Sequence, residues 1–201
     1  MKTIMKNFAK PKTMLLRVPY ATSVFVLVCL ALGDSPQASL LAFDREAIFA
    51  GEVWRLWSGH LVHFSMQQLF LDVSALLLVG AVAETTFGPR FVVWMLLLGM
   101  PAISLGLLLL APDLAYYRGA SGLVMLLAFV AGAAFWSRQP RLRVILAILG
   151  LGLFVKAVLD AAGFVSDMSG LPEGVRVAWQ AHVLGAGMGW ASARLKLKNL
   201  Q

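Results

Sequence analysis

The chain has 201 residues, 60% of them hydrophobic and 13% charged, with a mean hydropathy of +0.80, whereas a soluble globular domain carries about 45–50% apolar and about 25% charged residues. Too few polar side chains remain to cover a water-soluble fold, which excludes that class and leaves a helix bundle whose outer face meets lipid. The net charge of +7 sits in short segments between apolar runs, the pattern of a membrane protein rather than of a nucleic-acid binder.

Lys2, Lys6, Lys10, Lys12 and Arg17 precede a first apolar run at about 18 to 32. No small-x-small cleavage site stands before Gly33, so this run reads as an uncleaved first helix rather than a signal peptide. Crossing a hydrocarbon core about 30 Å thick takes about 20 helical residues. Five further stretches qualify or nearly so, at about 62 to 83, 91 to 110, 119 to 136, 142 to 163 and 178 to 193, the first and last of the six being short. The connection at about 33 to 61 carries Phe49, Trp54 and Trp57, amphipathic residues suited to the headgroup layer. The single cysteine, Cys29, lies in an apolar run, so the chain alone offers neither an internal disulfide nor a cysteine-based metal site. No internal repeat, low-complexity tract or Pro/Gly-rich linker divides the sequence. The predicted organisation is all-α, a polytopic bundle of six transmembrane helices at 18–193 between basic tails at 1–17 and 194–201.

Charge asymmetry orients the bundle. With the amino terminus inside, Arg90, Arg138, Arg141, Arg143, Arg194, Lys196 and Lys198 join the first five cations on the cytoplasmic side, leaving Arg45, Arg55, Arg118 and Arg176 outside with most of the acidic residues. Both termini are then cytoplasmic.

Polar side chains are expensive in hydrocarbon, so each one inside a span asks for a reason. His60 and His63 are placed at the start of the second span, Gln67, Gln68 and Asp72 within it, Ser121 at the start of the fourth, Lys156 and Asp160 in the fifth and His182 at the start of the sixth. Spans two, four and six all start at the external face, which brings His63, Ser121 and His182 within about one or two turns of the same membrane surface. A hydroxyl nucleophile needs a base in hydrogen-bond reach and donors for the developing oxyanion. Ser121 and His182 are candidates for nucleophile and base. Gly119 and Gly122 allow a sharp helix start around Ser121, where unpaired backbone N–H groups can bind an anion. Gly185 and Gly189 after His182 form a small-xxx-small face for close helix packing.

Trp54-Arg55, His60 and His63, Gly119-Ala120-Ser121-Gly122, and Ala181-His182 with Gly185 and Gly189 together resemble the rhomboid intramembrane serine proteases over most of the chain. The resemblance implies a rhomboid-like fold, Ser121 as nucleophile and His182 as general base in a dyad without an acid. It also implies membrane-anchored protein substrates within the lipid bilayer, and no metal or cofactor. Family members commonly place a second His and an Asn in span two as oxyanion donors; here those positions are Gln68 and Asp72. Gln68 can donate, Asp72 only when protonated, so the Ser121 N–H is expected to carry more of that load. Trp54-Arg55-Leu56-Trp57-Ser58-Gly59-His60 and Tyr117-Arg118-Gly119 look most like the bacterial rhombosortase branch, which implies a bacterial inner-membrane location and exported substrates with a carboxy-terminal Gly-Gly anchor helix.

Each element has a plainer reading. Gly119-Ala120-Ser121-Gly122 alone is an ordinary packing sequence and lacks the Gly-x-Ser-x-Gly form of hydrolase elbows, since Leu123 follows Gly122. His60 and His63 lack a third ligand for a metal. Lys156 and Asp160, four apart, neutralise one another. Trp54-Arg55 by itself is an interfacial aromatic beside a headgroup-binding cation. The competing functions are a catalytically silent rhomboid-fold protein that binds transmembrane clients, and a small transporter with Asp72, Lys156 and Asp160 as an ion relay.

Overall fold

A computed structural model of the chain describes residues 18–33, 35, 37–162, 164, 175 and 177–198. The basic tail at 1–17 and Arg176 lie outside the described residues. Elements run α1 (Tyr20–Leu32), α2 (Ala38–Leu41), β1 (Phe43–Asp44), α3 (Arg45–Phe49), α4 (Arg55–Ser58), α5 (Met66–Phe87), α6 (Pro89–Leu110), β2 (Tyr116–Tyr117), α7 (Ser121–Arg138), a 3-10 turn (Pro140–Leu142), α8 (Arg143–Ala161) and α9 (Trp179–Lys198). The fold is an α-helical membrane bundle, its only sheet among the described residues being the two-residue pairing of β1 with β2.

Among the described residues four segments are long and apolar enough to cross a membrane: Met66–Phe87, Pro89–Leu110, Ser121–Arg138 and Pro140–Ala161. The expected first and last spans do not reach that standard. Helix α1 has 13 residues, about 20 Å of helix at 1.5 Å per residue, and α9 ends in Arg194, Lys196 and Lys198. The second span also starts later than expected: Ser65 caps α5, its side chain accepting from Gln68 N, and His60 and His63 belong to the preceding loop. A capping hydroxyl fixes a helix start more firmly than apolar content does.

Charged side chains from elsewhere in the chain finish the ends of two helices. Helix α1 has no side-chain cap at Pro19. Instead the buried Glu84 carboxylate of α5 accepts from Ala21 N at 3.1 Å, Thr22 N at 3.0 Å and Thr22 Oγ1 at 3.0 Å. An anion at a helix amino terminus is favoured by the unpaired N–H groups and the helix dipole. Glu84→Ala is expected to lower stability by about 1–3 kcal/mol by orphaning these donors, measured as a drop in Tm in detergent. Arg45 does the converse for α6, donating to the carbonyls of Leu107, Leu108, Ala111 and Leu114.

Gly88, at φ +86, turns α5 into α6, and Pro89 opens the new helix; a positive φ suits glycine, and the fixed φ of proline suits the first helical turn. The connection between α1 and α5 is folded rather than merely adsorbed. Arg55, only 5% exposed, donates to Ser39 O at 3.1 Å, Ala42 O at 2.8 Å and Glu52 Oε2 at 2.6 Å. The reading of Arg55 as a headgroup-binding cation is therefore corrected: its donors tie the loop together. Trp54, by contrast, is exposed.

Helix α7 occupies the middle of the bundle, with Leu123, Leu126, Leu127 and Val130 fully buried. It runs parallel to α9, because Gly185 abuts Gly122 and Gly189 abuts Leu126. Helix α8 is peripheral, with Asp160 its one buried residue. Lys156 Nζ reaches Asp160 Oδ2 at 2.7 Å, the neutralising pair expected at that spacing.

Candidate active site

Ser121 is the first residue of α7, and His182 lies within the first turns of α9. The parallel packing of the two helices puts Ser121 Oγ 2.9 Å from His182 Nε2, a direct hydrogen bond. Contact this close depends on glycine: a Cβ added at Gly185 would fall on the Gly122 carbonyl oxygen, and one at Gly189 on that of Leu126. Small residues are what let helix backbones meet in lipid. Among the described residues no carboxylate hydrogen-bonds the His182 ring.

The segment before Ser121 is held from three sides. Gly119 N donates to Gly59 O at 3.1 Å, and β2 pairs with β1 in the register Phe43 with Tyr117. Gln68 Nε2 donates to Arg118 O at 3.0 Å while its Oε1 accepts from Phe64 N at 2.8 Å. Asp72 Oδ2 accepts from Ala120 N at 2.8 Å and lies 3.1 Å from His63 Nε2. Gly119 itself has φ +128, and a Cβ there would meet Gln68 Nε2 at 2.5 Å; only glycine fits both the backbone and the space.

His63, Gln68, Asp72, Gly119, Ser121 and His182 therefore converge on one end of the bundle. Gln68 uses one Nε2 hydrogen on Arg118 O and its Oε1 on Phe64 N, and Asp72 accepts from Ala120 N, so both side chains hold the chain that leads into Ser121. Helix α7 begins without a side-chain cap from Ala120, and the N–H groups of an uncapped helix start can serve an anion. Asp72→Ala is expected to loosen this segment, costing about 1–3 kcal/mol and slowing any reaction at Ser121 more than tenfold. Asp72→Asn keeps an acceptor oxygen and is expected to restore most of both, as read by unfolding temperature and by the rate of covalent labelling of Ser121.

His60 and His63 serve different partners, which removes the metal-pair alternative. His60 is fully enclosed, Nε2 lying 3.0 Å from Met100 O and 3.1 Å from Ser104 Oγ, and burial pushes its imidazole down to about 4. Ser104 Oγ in turn donates to Leu56 O at 2.8 Å. Tyr117, buried against His60 at 5.3 Å between ring centroids, donates its phenol to Gly119 O at 2.7 Å. In the sequence Tyr117 stands out only within the run Tyr117-Arg118-Gly119. Its place two residues before an obligatory glycine was the available sign that it shapes the loop.

The Rhomboid domain family matches residues 50–199, well over half of the chain, including Ser121 and His182. The chain belongs to the rhomboid family. No curated protein matches it at a significant level. In this rhomboid chain the matched region begins just before Trp54-Arg55 and includes α9 with His182. Arg45 and β1, in the connection between α1 and α5, lie just before the match.

Proposed function

We propose that this rhomboid-family chain is an intramembrane serine endopeptidase, with Ser121 as nucleophile and His182 as general base. The observation that carries the reading is the 2.9 Å contact between Ser121 Oγ and His182 Nε2, within the 2.6–3.2 Å over which a base takes a proton. His182 Nε2 takes the hydroxyl proton as Oγ bonds to a peptide carbonyl carbon, and the C=O electron pair moves onto oxygen. Backbone N–H groups at the start of α7 face that oxyanion. Collapse of the intermediate breaks the C–N bond, and the imidazolium returns its proton to the leaving amine. Water, deprotonated by the same ring, then hydrolyses the acyl-enzyme.

Substrates on this reading are membrane-anchored proteins cut in or near their transmembrane segment. The site faces the external side of a multi-pass bacterial inner-membrane protein whose termini are cytoplasmic. The runs Trp54 to His60 and Tyr117-Arg118-Gly119 support placement in the rhombosortase branch, and hence exported substrates with a carboxy-terminal Gly-Gly anchor. One observation favours a second reading, a silent client-binding rhomboid: the two side chains standing where relatives carry oxyanion donors are committed to residues 64 and 118–120. The transporter reading has no comparable support, since Lys156 pairs with Asp160 and Asp72 with the Ala120 loop.

A fluorophosphonate probe on detergent-solubilised protein separates the two. The protease reading expects labelling of wild type, mapped to Ser121 by mass spectrometry and absent in Ser121→Ala. A folded wild type that takes no label assigns the chain to client binding.

A further inference from the structure

Far from Ser121, toward the other end of the bundle, the helices leave a groove of about 530 Å³, within the roughly 300–1,000 Å³ of ligand pockets. Its walls come from the later halves of α5 and α7, the first half of α8 and the end of α9, and they are apolar almost throughout. Two glycines in the lining, Gly132 on α7 and Gly150 on α8, face open space: a Cβ added at either meets no atom within 4 Å. Because α8 buries only Asp160, side chains do not close this seam.

The mouth has a different character. Arg194 lines the groove and holds its guanidinium 5.2 Å above the Trp190 ring. Arg143 lies 5.8 Å above Trp136 and donates from Nε to Trp136 O at 3.0 Å; both tryptophans line the groove. Among the described residues no carboxylate pairs with either arginine. Indole faces hold the two cations in place, at the depth where aromatic residues meet headgroups. An apolar slot with one cation in its lining and a second on an adjoining tryptophan complements an amphiphile with an anionic head.

We propose that this groove holds one anionic phospholipid, its headgroup against Arg143 and Arg194 and one acyl chain along Gly132 and Gly150. Sidedness argues for an anionic lipid, since Arg143 and Arg194 belong to the cation-rich face, and basic pockets between helices on that face recognise acidic headgroups. The proposal is independent of whether Ser121 reacts.

The test is native mass spectrometry of the full chain released from nanodiscs of equal phosphatidylglycerol and phosphatidylethanolamine. One retained phosphatidylglycerol per chain is expected in wild type. Retention should fall at least tenfold in the Arg143→Gln, Arg194→Gln double variant and in Gly132→Leu, which fills the slot, but not in Arg90→Gln, which removes a cation elsewhere on the same face. Gly150→Leu fills the slot from the opposite wall and stands in if Gly132→Leu fails to fold. Equal retention of both lipids, or unchanged phosphatidylglycerol in the filled variants, overturns the proposal. Loss in the filled variants with no effect of the arginine changes also overturns it, by leaving a slot for hydrocarbon without headgroup recognition.

Discussion

His182→Ala is expected to slow fluorophosphonate labelling of Ser121 by about 10⁴–10⁶-fold, the scale on which serine hydrolases lose activity when the base is removed. The geometry makes the loss steep because Ser121 Oγ has His182 Nε2 in direct contact at 2.9 Å, and no carboxylate among the described residues is hydrogen-bonded to the ring. An unactivated serine is a weak nucleophile at neutral pH. Ser121→Ala removes labelling altogether, and for cleavage of a transmembrane reporter the double variant should be no worse than either single one, since the two groups act as a unit. A His182→Ala protein that labels at the wild-type rate would remove the ring from the chemistry.

The second large effect concerns a methyl group. Gly185→Ala places a carbon on the Gly122 carbonyl oxygen, so α9 must move away from α7. Overpacking of this kind costs about 1–3 kcal/mol, and the same displacement pulls His182 from Ser121, so labelling should fall by more than stability alone explains. Gly187, two residues on and facing open space, provides the control. Gly187→Ala should be neutral or stabilising by up to about 1 kcal/mol, since glycine is a poor helix former. Paired unfolding and labelling measurements on the two variants separate close approach from mere helix propensity.

These contrasts show what the amino-acid sequence makes legible. Apolar runs located four membrane-length helices, because burial of backbone polar groups in lipid forces helix on any long apolar stretch. Polar residues inside those runs led to Ser121 and His182, since each is expensive there and few others compete for attention. Helix ends were less legible. The start of α5 depends on the Ser65 cap, and α1 is finished by Glu84 from a helix more than sixty residues away in sequence, a partnership with no local signature. Arg55 was misread for a related reason: beside Trp54 in sequence it looks interfacial, and only the fold of residues 38–59 turns it inward. Gln68 and Asp72 were identified as neighbours of the serine, but which end of each side chain is occupied follows from the path of residues 118–120, set by β1 from the far side of the chain.

The split of the dyad between α7 and α9 has a consequence for synthesis. Sixty-one residues separate Ser121 from His182, and the segment that steadies the serine is pinned by residues 43, 59 and 72 made long before it. While a chain is being made, its amino-terminal parts assemble first. On the proposed reading, a chain still lacking α9 holds a serine seated on its loop with no base to take its proton, and the site is completed only when α9 packs beside α7.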